Sequence, residues 1–382
     1  MTASISSTAL SQATHSGSQP ADNSGVVATK NAEGVAAELR RIYDLSSTIE
    51  RRLRGAVQEI GDINLQTRLL SFNAQIEAAH AGAAGRAFEV VAREMVTLSE
   101  RTTKSAADLD EKTQSDIRQL NGMIGEVGTA VRGTRLSDLA FTNIDLIDRN
   151  LYERSCDVRW WATDSSCVEA CLDASRANHA SQRLSVILDA YTVYQDIVLC
   201  DMQGRVIANG RPAKFSCLGS DQSATEWFRS ALRTGSGGEF GFEGVHRSST
   251  LAGRKMALVY SALVRRDGRT DGEPIGCLGI VFDWEALAQT IVNRTQVGEA
   301  EKRHTRACIV DRSGLIIADS RSRHLQDKFP LGQLPALIGC GKGYCIHSLD
   351  GIPHLMAYAH SPGFETYSTG WHSFIVQPLA LH

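Results

Sequence analysis

Between Ile42 and Ala81 the chain repeats mostly apolar or small positions alternately four and three residues apart: Ile42, Ser46, Ile49, Leu53, Ala56, Ile60, Ile63, Thr67, Leu70, Ala74, Glu77 and Ala81. Such spacing is a heptad seam, the mark of a helix that packs along another helix. Two glycines, Gly82 and Gly85, interrupt the seam. It resumes as Phe88, Val91, Met95, Leu98, Thr102, Ser105 and Leu109 and then, past a slip near Thr113, as Ile117, Leu120, Ile124, Val127 and Val131. Each arm is about 45 residues long, or about 67 Å at 1.5 Å per residue. A short Gly-Ala-Ala-Gly link between arms of matching length forces them to pack antiparallel, which predicts a coiled-coil helical hairpin over residues 35–135 with its tip near 82–85.

A second stripe, Leu65, Leu69, Phe72, Ile76 and Ala79, follows the same rhythm two residues out of phase. A hairpin has one inner seam to fill. The stripe therefore either meets another molecule or broadens the core-facing side of the ascending helix. At the equivalent places on the returning arm Val90, Glu94, Thr97 and Arg101 are mostly polar, so the apolar surface belongs to the ascending helix near the turn.

Residues 1–34 are rich in Ser, Thr, Ala, Gly and Asn and read as a disordered arm. From Leu136 the heptads fade, and residues 136–190 read as a connecting segment, one long helix or two in series. An internal repeat follows. "DIVLCDMQGRVIANG" (196–210) and "RACIVDRSGLIIADS" (306–320) share a strand, an Asp-x-x-Gly turn and a second strand, with Asp201 matching Asp311 and Gly204 matching Gly314. Each is a β-hairpin signature, and two such modules after a helical segment imply a tandem α/β sensor with lobes at 191–295 and 300–382. The fold class is thus multidomain, α plus α/β.

Composition narrows the function classes. Charged residues make up 22% and the net charge is -3, which argues against a nucleic-acid footprint. The clusters Arg40, Arg41 and Arg51, Arg52, Arg54 are interleaved with apolar positions and read as solvated helix faces. The N-terminus lacks a charged and then apolar leader, and the best apolar run, "IGCLGIVFDW" (275–284), is about half the length of a membrane span, so the expectation is a cytoplasmic protein. Nine cysteines, an odd number, fit reduced thiols better than a disulfide framework.

Residues 60–102, with the core "QTRLLSFNAQIEAAHAGAAGRAFEVVAREMVTLSERT", resemble the signalling tip of bacterial methyl-accepting chemotaxis proteins, ungapped over about 40 positions centred on the turn. In that family the hairpin belongs to a dimeric four-helix bundle, bundles pack as trimers of dimers, and the tip docks a histidine kinase and its coupling adaptor. The resemblance implies trimer contacts at Leu65, Leu69, Phe72, Glu77 and His80. It implies kinase and adaptor contacts at Asn73, Gly82, Gly85, Arg86, Phe88 and Val90. Four positions depart from the pattern: His80 replaces an Arg, Ala83 a Glu, Arg68 an Asn and Ala87 a Gly. Pairing of His80 with Glu77 would depend on pH near neutrality. Gln58-Glu59 is the only Glu/Gln pair in the short arms and lies close to the tip, so little or no methylation is expected.

The second half resembles a double Cache domain, two PAS-like lobes on one long helix, through "TEWFRSAL" (225, after Ala224, to 232), "KMALVYSALV", "IGCLGIVFDW" and "SPGFETYSTGWHSFIVQ". This resemblance implies a small-molecule ligand in the first lobe near Trp227, Phe228, Phe240, Tyr260 and Asp283. Aromatic side chains box an apolar or cationic group, and Asp283 at a strand end can pair an amine; equally, the aromatics can simply fill the lobe core. Amino-acid-binding members carry an Arg two residues before the Trp. Thr225 stands there in this chain, which speaks against a free α-amino acid. Trp160 and Trp161 beside Arg159 read as core packing or as a ligand contact.

The combined expectation is a chemoreceptor-like transducer that senses a cytoplasmic small molecule and regulates a chemotaxis kinase, with no enzymatic activity and no cofactor. The Gly-rich runs "GSGGEFGFEG" and "GCGKGYC" complete no phosphate-binding pattern. Two alternatives stand beside it: a metal, haem or redox sensor using His347, His354, His360, His372, Cys340 and Cys345 with the same output, or a non-signalling coiled-coil scaffold.

Overall fold

Helix α1 covers Asn23–His80 and helix α2 covers Arg86–Trp161, with one turn of 3₁₀ helix at Gly82–Gly85 between them. The computed structural model describes residues 23–247, 251–253, 255–329, 341–349 and 351–379. Residues 1–22 lie outside the described residues, and helix already covers 23–34, within the segment read above as an arm. The glycines make the turn. Gly82 takes φ +56°, and a Cβ on Gly85 would sit 2.1 Å from the carbonyl oxygen of Ala78, so only glycine lets the chain double back here.

The two helices run antiparallel. Ser46 Oγ donates to Asn121 Oδ1 (3.0 Å), Asn64 Nδ2 donates to Thr103 Oγ1 (3.1 Å), and Ser99 Oγ donates to the Asn64 carbonyl (3.0 Å). Among the described residues Ser46, Asn64, Ser71 and Ala78 are the buried positions of α1, against Ala92, Ser99, Ala106 and Ile117 of α2. This corrects the expected seam. Ser46 faces inward as read, but Ile63 (55% exposed), Leu70 (65%), Leu98 (62%) and Phe88 (72%) face solvent, as do Ile49, Val91 and Glu77. Small side chains let two backbones approach closely, and the bulky apolar ones are displaced to the flanks.

The connecting segment is not one helix. α2 ends at Trp161, and α3 (Ser165–Leu172) and α4 (Ala177–Ala190) follow. Asp164 and Asp173 stop and restart the helix because their carboxylates accept from the backbone N–H groups of Ser166 and Ser175 (2.9 Å each), as caps do.

Two five-stranded antiparallel sheets follow with the same connectivity. The first runs β2-β1-β5-β4-β3, from β1 (Tyr194–Asp201), β2 (Val206–Asn209), β3 (Gly241–Arg247), β4 (Met256–Arg265) and β5 (Pro274–Phe282). The second runs β7-β6-β10-β9-β8, from β6 (Arg306–Val310), β7 (Ile316–Asp319), β8 (Lys342–Leu349), β9 (Ile352–His360) and β10 (His372–Pro378). The repeated Asp-x-x-Gly motifs are the turns of β1-β2 and β6-β7: Gly204 and Gly314 take φ +83° and +86°, and Asp201 and Asp311 accept from the backbone two and four residues ahead. Short helices α5 (Glu226–Leu232), α6 (Trp284–Asn293) and α7 (Glu299–Lys302) complete the lobes.

Helix α2 is the spine of both lobes. Leu136, Ala140, Ile144, Ile147, Leu151 and Val158 are fully buried at helical spacing, against Tyr260, Ile280 and Phe282 of the first sheet and Ala357 and Ile375 of the second. The heptads do not fade beyond Leu136. They change partner, from a helix to sheets, and each large side chain buried there contributes about 1.5–3 kcal/mol. Among the described residues no helix is long and apolar enough to cross a membrane.

Candidate functional site

Strand alternation gives the first sheet two faces. One packs on α2, while the other carries Val198, Cys200, Val259, Cys277 and Val281 and is covered by α5. α5 brings Trp227 and Phe228 onto that outer face, where both are buried with Leu251 and Ala252. Glycine makes room for the indole: a Cβ at Gly279 would lie 2.9 Å from the Trp227 ring. Ser261 Oγ donates to the Trp227 carbonyl (2.7 Å) and fixes α5 on the sheet. The Trp227 Nε1–H is buried and has no acceptor, an uncompensated donor in the middle of this face.

Glu243 reaches the backbone of α5 with a histidine beside it, and a second charged pair lies at the end of β5. The Trp227 backbone N–H donates to Glu243 Oε2 (3.3 Å), and a β-bulge between Glu243 and His246 sets the two opposite Val259 and Ala257, on the same face, with Nε2 to Oε1 at 3.9 Å. Asp283 caps α6, accepting from Ala286 N (3.2 Å), and lies 3.8 Å from Lys255 Nζ. Residues 248–250 and Arg254 lie outside the described residues.

The five residues named from the sequence therefore do not form one box. Trp227 and Phe228 share the outer face, and Asp283 sits at the end of β5. Tyr260 points the other way because its neighbour Ser261 faces Trp227. Tyr260 Oη meets Tyr367 Oη at 2.5 Å, and the Phe240 ring lies tilted at 5.7 Å from Tyr260 and 6.0 Å from the Arg159 guanidinium. These two aromatics join the first lobe to the β9-β10 loop of the second. Burial pushes the Tyr260 hydroxyl well above its ordinary range, so it stays protonated. Trp161 is buried, and Trp160 is exposed. Glu243, His246 and Lys255 are the residues that sequence reading missed. A bulge breaks the period-2 pattern of "GFEGVHR", so no alternation betrays which of its side chains face the indole.

At the tip, Leu65, Leu69, Phe72, Glu77 and His80 are all exposed on α1, as are Asn73, Gly82, Arg86, Phe88 and Val90 around the turn; Gly85 alone is buried. The apolar stripe is thus open to solvent in the single chain.

In the second lobe His360 Nδ1 and His372 Nδ1 approach to 3.3 Å across β9-β10. Burial, aided by His360, pushes His372 down to about 4. His347 lies on β8 and His354 on β9, Cys345 is half-buried, and Cys340 lies outside the described residues. Among the described residues no three His, Cys, Asp or Glu side chains are grouped to hold a metal ion. Eight thiols there are free, and burial pushes those of Cys167 and Cys171 up to about 12, where they are poor nucleophiles.

The Cache domain family model matches residues 28–381. Among curated proteins the chain is similar to the methyl-accepting chemotaxis protein PcaY of Pseudomonas putida, 36% identical over 140 residues, which is 35% of this chain and 24% of that protein. It is also similar to PilJ of Pseudomonas aeruginosa, 38% identical over 120 residues, 28% of this chain and 17% of PilJ. The chain thus spans about a quarter or less of the length of these relatives. Among solved structures it is similar to the sensory domain of the Campylobacter jejuni chemoreceptor Tlp3, with a TM-score of 0.49 and 15% identity over 64% of this chain and 92% of that one; the same domain has been solved with L-valine.

Proposed function

The chain belongs to the Cache domain family, and we propose that it is a chemoreceptor-like signal transducer in which the first lobe binds a small molecule and the hairpin tip passes the result to a chemotaxis histidine kinase and its coupling adaptor. The observation that carries this reading is the continuity of α2, which leaves the tip at Arg86, runs beneath both sheets and ends at Trp161 without a break. A change of packing at either lobe acts on one rigid rod that ends at the tip.

The ligand class follows from the first-lobe face. An indole with an unpartnered N–H, a phenyl ring and the carboxylates of Glu243 and Asp283 suit a small molecule with an apolar body and a basic or hydrogen-bonding head. Thr225 offers no guanidinium for a ligand carboxylate. The side chains on this face are closely packed.

The exposed flanks of the hairpin call for company. Ile63, Leu70, Leu98 and Phe88 leave an apolar surface that a second hairpin would cover in a homodimeric, coiled-coil four-helix bundle, and Leu65, Leu69 and Phe72 remain for packing of dimers into trimers. No span interrupts α2, so hairpin and lobes occupy one compartment; a tip that meets the kinase sets that compartment as the cytoplasm.

The test is phosphotransfer by a chemotaxis kinase and adaptor reconstituted with the full chain, wild type against Arg86→Ala and Glu77→Ala. Kinase activity that changes with wild type and returns to the receptor-free level with the tip variants supports the proposal. Activity unaffected by wild type, with no kinase co-sedimentation, contradicts it.

A further inference from the structure

A cleft of about 870 Å³ opens where the base of the hairpin meets the second lobe. Its walls come from parts of the chain far apart in sequence: Leu39 and Tyr43 of α1, Ile124 and Arg132 of α2, Glu301 of α7, and Leu379 beyond β10. Gly125 and Gly128 also line it, beside Thr129 and Val131; a Cβ on Gly128 would only touch Leu39 Cδ1, at 3.6 Å. The size falls in the range of small-molecule sites, about 300–1,000 Å³.

The charges at the cleft are unequally matched. Arg135 is ion-paired with Glu301, whose carboxylate also accepts from Gly298 N (3.3 Å), so that acid is committed. Arg132 is different. One of its terminal nitrogens donates to the Leu379 carbonyl (2.8 Å), but its Nε–H is buried without an acceptor, and among the described residues no carboxylate pairs with its guanidinium. Burial, with Arg135 beside it, pulls the Arg132 pKa below its ordinary value, and Glu301 only partly compensates. An anion in the cleft would offset that charge by a charge-assisted contact with the terminal N–H groups, since Nε itself is closed off from solvent.

We propose that this cleft is a second ligand site, for a small organic carboxylate whose apolar body lies on Leu39, Tyr43 and Ile124 and whose carboxylate takes Arg132. It is separate from the first-lobe face and stands whether or not the kinase reading holds. Because α1 and α2 supply one wall and α7 with Leu379 the other, an occupant ties the hairpin base to the second lobe.

Calorimetric titration of the full chain with hexanoate tests this, with 1-hexanol and hexylamine as charge controls and Trp227→Phe as the control for the first lobe. Hexanoate is expected to bind, hexanol and hexylamine at least about tenfold more weakly, and Arg132→Gln to weaken hexanoate at least about tenfold, the loss of roughly one charge-assisted contact. Gly128→Leu fills the cleft with a good helix former, and it is expected to abolish binding even if Arg132→Gln folds poorly. Trp227→Phe, which leaves the cleft walls intact, should retain hexanoate binding. No binding of hexanoate, equal binding of hexylamine, or binding that survives Gly128→Leu or is lost in Trp227→Phe overturns the proposal.

Discussion

Asp148 holds the second lobe to the spine, and removing its carboxylate should loosen both lobes. The side chain is fully buried on α2 and accepts from Ser361 Oγ (2.6 Å), Thr369 Oγ1 (2.8 Å), Gly363 N (2.9 Å) and Thr369 N (3.3 Å). All four donors lie on the β9-β10 loop. That loop also carries Tyr367, bonded to Tyr260 of the first sheet, and leads to Trp371, whose ring packs edge-on at 5.2 Å from Trp284. In Asp148→Ala four donors lose one acceptor in a site that water does not reach. Hydrogen bonds to a charged group are worth about 1.5–3 kcal/mol each, but they share one carboxylate and do not add. The expected loss is about 3–5 kcal/mol, since several buried neutral donors are left unpaired at about 1–3 kcal/mol each and do not add in full. That is a large share of the roughly 5–15 kcal/mol that a domain holds in reserve. Asp148→Asn keeps one acceptor oxygen and turns an amide toward the remaining donors, so about half the loss is expected. Urea unfolding followed by tryptophan fluorescence measures the loss, and hydrogen exchange at Gly363 and Thr369 locates it. A change below about 1 kcal/mol in Asp148→Ala, or unchanged protection of those two amides, would refute the reasoning.

Gly279→Val should cost about 1–3 kcal/mol by overpacking, because its Cβ falls 2.9 Å from the Trp227 ring, and it should shift the tryptophan emission as the indole is displaced; wild-type stability and emission would show that the indole does not rest on β5. The pH dependence of stability follows from His372, whose folded-state value of about 4 lies below its ordinary 6.5. The stabilisation is fully present above 6.5 and is lost as pH falls through the window from 6.5 to 4, because the unfolded chain takes the proton first. Urea midpoints between pH 7 and 4.5 should fall for wild type and fall less for His372→Asn; equal slopes would place the titration elsewhere.

Much of the architecture is legible in the sequence where a pattern has one physical cause. Gly82 and Gly85 mark a reversal because the first takes a positive φ and a Cβ on the second would strike the Ala78 carbonyl. Asp201 with Gly204, and Asp311 with Gly314, mark hairpin turns because an Asx side chain and a positive φ are both needed there. The seam was harder to read. Heptad spacing tells that Ile63 and Leu70 line a stripe, but a stripe can face the sister helix or a second molecule, and only the packing of Asn64, Ser71 and Ala78 decides. The candidate ligand face was legible in part. Trp227 and Phe228 stand out, but Tyr260 is assigned to the wrong side of the sheet until Ser261 is seen bonding to the Trp227 carbonyl, and Glu243 hides behind a bulge. The cleft at Arg132 has no sequence signature, since its walls come together only through the tertiary fold.

The central claim is that α2 carries the state of the first lobe to the hairpin tip. A double-mutant cycle on reconstituted kinase activity tests it most directly, combining Trp227→Phe in the lobe with Thr134→Pro, an exposed α2 position between hairpin and lobes where proline kinks the helix at a cost of about 3 kcal/mol. Trp227→Phe is expected to change kinase activity in the wild-type background and to have no effect once Thr134→Pro has broken the rod, with tip binding to the kinase retained. An equal effect of Trp227→Phe in both backgrounds would contradict it.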